Sequence, residues 1–246
     1  MIKAFIDFDG TITRVDVGDT MFETFGGAQC LHSIDKYRNE KISAMECFRQ
    51  ECRACIGVKR EDLDSFLDRQ EIDETFGEFL EFCNDRKIDC TVLSDGMDYY
   101  IERILRRYNL ETVKYFSNHL DLIPVNGSAM VMFQPSFPHT DEMCNRCACC
   151  KRNHILTQCA ADDIVMYIGE GYSDRCPVRY ADIVFAKDEL LKYCQSENIS
   201  YFEYKSFSDI TERLKMMFDA RSSKKNSLFR KRRQAQLACR EVYLGG

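Results

Sequence analysis

Ile2-Lys3-Ala4-Phe5-Ile6-Asp7-Phe8-Asp9-Gly10-Thr11-Ile12-Thr13 is a short apolar, β-prone run that ends in two carboxylates and a glycine. It reads as a buried strand over residues 2–8 that delivers Asp7 and Asp9 to a loop. Three later segments repeat the design. Residues 88–93 run into Ser94-Asp95-Gly96, residues 164–168 run into Gly169-Glu170-Gly171, and residues 183–185 supply a fourth strand. Helical spacing separates them, first at Ile72, Phe76, Phe79 and Leu80, then at Tyr100, Ile101, Ile104, Leu105 and Tyr108, then over residues 154–159. Strands alternating with helices imply right-handed βαβ crossovers. The predicted class is therefore α/β, a Rossmann-like parallel sheet with helices on both faces. Ligands of such sheets sit at the C-terminal ends of the strands, where these acidic and small-residue loops fall.

Between the first strand and Ile72 the pattern is helical throughout. Val17, Met21 and Phe25 recur every four residues; Ile42, Met45, Phe48 and Cys52 recur at three or four; Leu63, Phe66 and Leu67 mark a third helix. Ser43 followed by Glu46 has the form of a capping box, and Gly26-Gly27 and Gly57 interrupt the run. This predicts a small helical cap over residues 16–71, inserted after the first strand into a core made of residues 1–15 and 72–220. Pro124, Asn126-Gly127, the stretch from Ala129 to Phe133, Pro135 and Pro138 predict a hairpin or irregular flap around residues 121–150.

The formal charge of -6 is unevenly spread. Residues 221–246 hold eight Lys and Arg against one acid, which leaves about -13 on residues 1–220. The basic C-terminal extension, with Lys224-Lys225 and Arg230-Lys231-Arg232-Arg233, reads as a solvated tail. The acidic body argues against nucleic acid as a partner. A chain of 246 residues with 45% hydrophobic and 30% charged residues is long and apolar enough for a sizeable core, which excludes a disordered chain. No stretch of about 18 apolar residues offers a membrane span, and Asp7 and Asp9 fall where a signal peptide needs an apolar run. The expectation is a cytoplasmic protein, no membrane partner, and fourteen cysteines held as reduced thiols.

Two carboxylates in a small space repel one another unless a cation neutralises them or one takes a proton. Mg²⁺ bound through one or two carboxylates and a substrate phosphate resolves that conflict. Asp7 would then attack phosphorus, while Asp9 would protonate the leaving alcohol and later activate water. Taken alone, Asp7-Phe8-Asp9-Gly10-Thr11 fits a solvated strand-end turn equally well. The partners break the tie: Ser94-Asp95-Gly96 offers a hydroxyl and backbone N–H groups, Lys151 a mobile cation, and Glu170 and Asp174 further carboxylates.

These four segments, Asp7 to Thr13, Ser94 to Gly96, Lys151, and Gly169 to Asp174, resemble the ordered motifs of haloacid dehalogenase-type phosphatases. The helical insert after the first motif looks like the cap of the phosphoserine-phosphatase-like branch. The flap, Cys149-Cys150-Lys151-Arg152, and Gly171-Tyr172-Ser173-Asp174-Arg175-Cys176-Pro177 look closer to the methionine-salvage phosphatases acting on 2-hydroxy-3-keto-5-methylthiopentenyl-1-phosphate. The resemblance spans roughly residues 1–220. It implies a small phosphorylated metabolite as substrate, Mg²⁺ as cofactor, Asp7 as nucleophile and Asp9 as general acid and base. Gly10, Thr11, Ser94, Asp95, Gly96 and Lys151 would bind the phosphoryl group. Asp7, Asp9, through its backbone oxygen, Glu170 and Asp174 would make the metal site, Asp174 either by holding Lys151 or by taking over ligation from Glu170. The family usually has Asp where Glu170 stands here, and the extra methylene moves the carboxylate by about one bond length.

Other features have plainer readings. Cys144, Cys147, Cys149 and Cys150 have half of a thiolate zinc site's spacing, so a loop of thiols or a redox-sensitive pair competes with Zn²⁺. Cys52 and Cys55 read as packing. Arg49 and Arg53, one turn apart, face either an anionic part of the substrate or solvent. His32, His119, His139 and His154 lack ligand-like spacing. Phosphoryl transfer to an acceptor alcohol, and a non-catalytic Cys-based metal or redox sensor on the same fold, remain as alternatives. A carbon–halogen hydrolase has no use for Asp9 or the phosphate-binding groups.

Overall fold

The computed structural model describes residues 1–125, 127–142 and 146–223, with side chains to residue 219. Along the chain the elements are β1 (Ile2–Ile6), α1 (Val17–Gly26), α2 (Ala28–Arg38), α3 (Ala44–Ala54), β2 (Val58–Lys59), α4 (Arg60–Leu67), α5 (Phe76–Asp85), β3 (Ile88–Met97) and α6 (Asp98–Arg107). There follow β4 (Tyr115–Pro124), β5 (Met130–Ser136), α7 (Lys151–Gln158), β6 (Ile164–Gly169), β7 (Ile183–Ala186), α8 (Asp188–Ser196), β8 (Phe202–Glu203) and α9 (Phe207–Ser223). Two 3₁₀ turns, Tyr172–Arg175 and Pro177–Tyr180, lie between β6 and β7.

Contacts divide the chain into two compact units. The first comprises Met1–Asp7, Asp73–Val92 and the described residues from Lys151 on. Its sheet runs β3-β1-β6-β7-β8, every pair parallel. The α/β class is as the sequence predicts. Ile6 stands beside Val92 on one side and Ile168 on the other, so the strands end in register. Ala4, Phe5, Ile6, Val92 and Val165 to Ile168 are buried, the near-continuous apolar lining a parallel sheet needs when both faces are covered. Phe207 at the start of α9 packs on Phe76 and Phe79 of α5, with ring centroids 4.8 and 5.0 Å apart. Asp73 and Thr75 accept the Phe207 and Ser208 N–H groups, satisfying donors that a helix start leaves open.

The second unit comprises Phe8–Ile72 and Leu93–Cys150. It holds α1 to α4, α6 and an antiparallel β2-β5-β4 sheet. Asp16 caps α1 by accepting the Asp19 N–H at 2.7 Å, and Ser43 caps α3 by accepting the Glu46 N–H at 3.2 Å, as its sequence position suggests. Cys30, Cys47, Cys52 and Cys55 are buried among these helices. Burial raises the Cys30 and Cys55 thiols to about 11 and about 12, so they stay neutral packing groups.

Several expectations need correction. The segment from 16 to 71 carries four helices, not three. α2 lacks an apolar stripe, burying Cys30 and Ser33, and periodicity passes over it. β1 ends at Ile6, and β3 continues through Ser94-Asp95-Gly96 to Met97. The hairpin begins at Tyr115, where His119 and Asp121 interrupt the apolar pattern. α7 begins at Lys151 itself. Asn126, Cys144 and the tail from 224 on lie outside the described residues. No described helix is long and apolar enough to cross a membrane.

Candidate active site

In the first unit the parallel ladder carries one bond past β1, from the Asp7 N–H to the Ile168 carbonyl at 2.9 Å, and so fixes the Asp7 backbone. Lys151, the first residue of α7, places its Nζ 2.6 Å from Asp7 Oδ1, 2.7 Å from Asp174 Oδ1 and 3.0 Å from Ser173 Oγ. The side chain is wholly buried, so the cation that looks mobile in the sequence is held by three acceptors. Both carboxylate pairings of this buried ammonium are direct and hydrogen-bonded, the geometry a buried ion pair needs to offset desolvation.

Asp174 is also wholly buried, and both its oxygens are engaged. Oδ1 accepts from Lys151 and from the Tyr167 hydroxyl at 2.5 Å; Oδ2 accepts from the Glu170 and Gly171 N–H groups, both at 3.0 Å. A Cβ at residue 169 would lie 2.4 Å from Asp174 Oδ2, so the carboxylate's approach requires Gly169. Burial, then the Asp174 charge, lifts the Tyr167 phenol well above its usual range and keeps it a donor. Tyr167 and Ser173 have no separate signal in the sequence, since one sits in an apolar strand and the other in a loop motif.

In the second unit the Phe8 carbonyl accepts the Thr11, Ile12 and Thr13 N–H groups, winding a tight loop. Gly10 has φ +65°, a left-handed conformation that glycine adopts without strain. Thr13 Oγ1 braces the loop through the Phe8 and Val15 carbonyls and the Gly10 N–H. Asp9 Oδ1 accepts from the Val17 and Gly18 N–H groups at the start of α1, at 3.2 and 3.3 Å. Its Oδ2 accepts from Ser94 Oγ at 3.1 Å and from the Tyr100 hydroxyl at 2.8 Å. Ser94 Oγ in turn accepts the Gly96 N–H at 2.8 Å. The Asp95 carboxylate takes the Cys149 N–H at 2.9 Å, and its carbonyl takes Asn118 Nδ2 at 2.5 Å, so this acid ties the Cys-rich loop to β3. Thr11 is buried.

The remaining candidates are placed as follows. Cys147 and Cys150 pack against one another, and both are buried, as is Cys149. Arg49 and Arg53 are exposed on α3; both lie near Glu46, at 4.0 and 3.8 Å, and Arg49 also stands over the Phe137 ring.

Glu170 is half-buried, and among the described residues no protein donor bonds its carboxyl. Burial, then Asp174 and Asp188, raise it to about 7, against the opposing charges of Lys187 and Lys151. A carboxyl so short of positive charge could hold a divalent cation, and the Asp7 and Glu170 carboxylates of this unit are the hard oxygen donors Mg²⁺ prefers. Among the described residues no three His, Cys, Asp or Glu side chains form a ready-made cage. Asp174, expected at the metal, instead has four protein donors on its buried carboxylate and the partners of a residue that orients Lys151.

Comparison with known proteins is consistent across sequence and structure. A family model described as Putative Phosphatase matches residues 2–204. A 2-hydroxy-3-keto-5-methylthiopentenyl-1-phosphate phosphatase of Bacillus cereus (strain B4264) is 28% identical over 224 residues, covering 90% of this chain and 99% of the relative. A HAD family hydrolase from Salmonella enterica subsp. enterica serovar Typhi superposes with a TM-score of 0.63 at 15% identity, over 83% of this chain and 68% of that one. A phosphoserine phosphatase bearing an analogue of the phospho-aspartyl intermediate superposes with a TM-score of 0.61 at 17% identity, over 87% and 98%. The chain thus belongs to the Putative Phosphatase family, is a phosphoric monoester hydrolase, and shares its fold with these haloacid dehalogenase-type structures.

Proposed function

We propose that this chain hydrolyses a small phosphomonoester through a phosphoryl group carried on Asp7, and that its substrate is 2-hydroxy-3-keto-5-methylthiopentenyl-1-phosphate. The observation that carries the reading is the buried Lys151 ammonium bridging Asp7 and Asp174. It orients the Asp7 carboxylate, and it supplies positive charge beside the oxygen that would attack phosphorus. Asp9 protonates the leaving oxygen and then takes a proton from the water that releases phosphate from Asp7. Ser94 binds a phosphoryl oxygen through its hydroxyl, while the Gly10 and Gly96 N–H groups, already taken by Thr13 and Val15 and by Ser94, shape the loops around it. Asp7 and Glu170, with the Asp9 carbonyl, would hold Mg²⁺, which would neutralise charge on the phosphoryl oxygens. What supports this substrate is the activity of the relative that matches nearly end to end.

Phosphate release is to be measured with Mg²⁺ over a panel containing that ester, O-phosphoserine and phosphocholine, with and without a chelator, and with Asp7→Asn as control. The expected result is the highest kcat/KM on the methionine-salvage ester, loss of turnover with chelator, and no turnover by the variant. Folded protein that releases phosphate from none of the panel contradicts the enzymatic reading. A higher kcat/KM on another ester contradicts only the substrate.

A further inference from the structure

Tyr100 lies in the apolar stripe of α6 and is buried at 1% exposure, yet its hydroxyl points to a carboxylate. The hydroxyl donates to Asp9 Oδ2 at 2.8 Å, a shorter bond than the 3.1 Å one from Ser94. The local backbone is shaped around this oxygen. A Cβ at residue 96 would lie 1.7 Å from the Tyr100 hydroxyl and 2.7 Å from Asp9 Oδ2, and one at residue 18 would lie 3.2 Å from the hydroxyl. Two glycines therefore leave room for the Tyr100–Asp9 contact. The ring is held against Phe8, with centroids 6.2 Å apart, so the hydroxyl has little freedom to leave.

We propose that Tyr100 is a positioning residue for Asp9, fixing Oδ2 so that the direction now taken by Ser94 is presented to the leaving oxygen. The inference rests on the reading of Asp9 as general acid given above. When a phosphoryl oxygen claims the Ser94 hydroxyl, Oδ2 keeps the Tyr100 bond and presents the direction Ser94 held to the leaving oxygen. The backbone donors Val17 and Gly18 meanwhile retain Oδ1. As the bond from Asp7 to phosphorus forms, the P–O bond to the alcohol breaks with its electron pair on that oxygen. The proton on Asp9 Oδ2 moves to the same oxygen. A carboxyl fixed by three bonds delivers that proton along one line; without Tyr100 it is free to rotate.

The test is the leaving-group dependence of Tyr100→Phe and Tyr100→Leu, using p-nitrophenyl phosphate and phenyl phosphate. A poor leaving group depends on the proton and a good one hardly does. Both variants are expected to lose about tenfold in kcat/KM on phenyl phosphate and less than about twofold on p-nitrophenyl phosphate, a fraction of what a general acid contributes. Asp9→Asn should show the same asymmetry enlarged. Equal losses on both esters, or none on either, overturn the positioning role while leaving the phosphatase reading intact. A folded wild-type protein inactive on both esters overturns the reading on which the inference rests.

Discussion

At the scale of single residues, Lys151 shows how far this site depends on one charge. Its ammonium bonds Asp7, which is 5% exposed, and Asp174, which is not exposed at all. Removing one partner of a buried ionic group leaves uncompensated charge, at a typical cost of about 3–5 kcal/mol. Lys151→Met keeps the length of the side chain and removes the charge, so urea denaturation should show a loss of that order together with loss of turnover. A variant as stable as the parent would mean that the two carboxylates are neutralised by something else. Asp7, Asp9, Ser94 and Lys151 are legible in the sequence because each stands in a short motif at a strand end or helix start. Tyr100 and Tyr167 are not legible, because a tyrosine within an apolar run looks like core. Each hydroxyl gains meaning only once the fold gives the address of Asp9 or Asp174.

Among elements, α3 carries the clearest pH dependence. Glu51 is 3% exposed on its buried face, and burial, then the Asp19 charge, lifts it from 4.5 to about 8, despite a hydrogen bond from Cys47 that lowers it. In the unfolded chain it ionises near 4.5. Below that pH both states hold the proton, and its contribution to stability is fully present. As pH rises toward 8 the unfolded chain releases the proton while the folded one keeps it, so stability falls by up to about 1.4 kcal/mol per pH unit. Above about 8 the loss is complete. Glu51→Gln stays neutral and should gain on the parent between pH 5 and pH 8, read from urea midpoints at the two values. An unchanged difference between the proteins would mean that Glu51 is ionised in the fold. The capping of α3 is legible at Ser43, whereas α2 is not, because its buried positions, Cys30 and Ser33, make no apolar period. β3 exceeds its expected length because Ser94, Asp95 and Gly96 look like a turn but keep extended backbone bonds.

For the whole molecule, four apolar runs separated by helical periods are enough to indicate a parallel sheet, and β1, β3, β6 and β7 form one. β8 escapes notice at two residues, too short for alternation to register. The in-register ends of β1 and β6 explain why acids far apart in sequence act together: beyond Ile6 stands Asp7, beyond Ile168 begins the Gly169-to-Asp174 loop, and Lys151 joins them. The account therefore turns on covalent chemistry at Asp7. Its most direct test is an acid-quenched single turnover on the methionine-salvage ester with Mg²⁺, followed by peptide mass spectrometry. The account predicts a transient phosphoryl group on the peptide containing Asp7, absent in Asp7→Asn. Phosphate release at the full rate with that peptide never modified would contradict it.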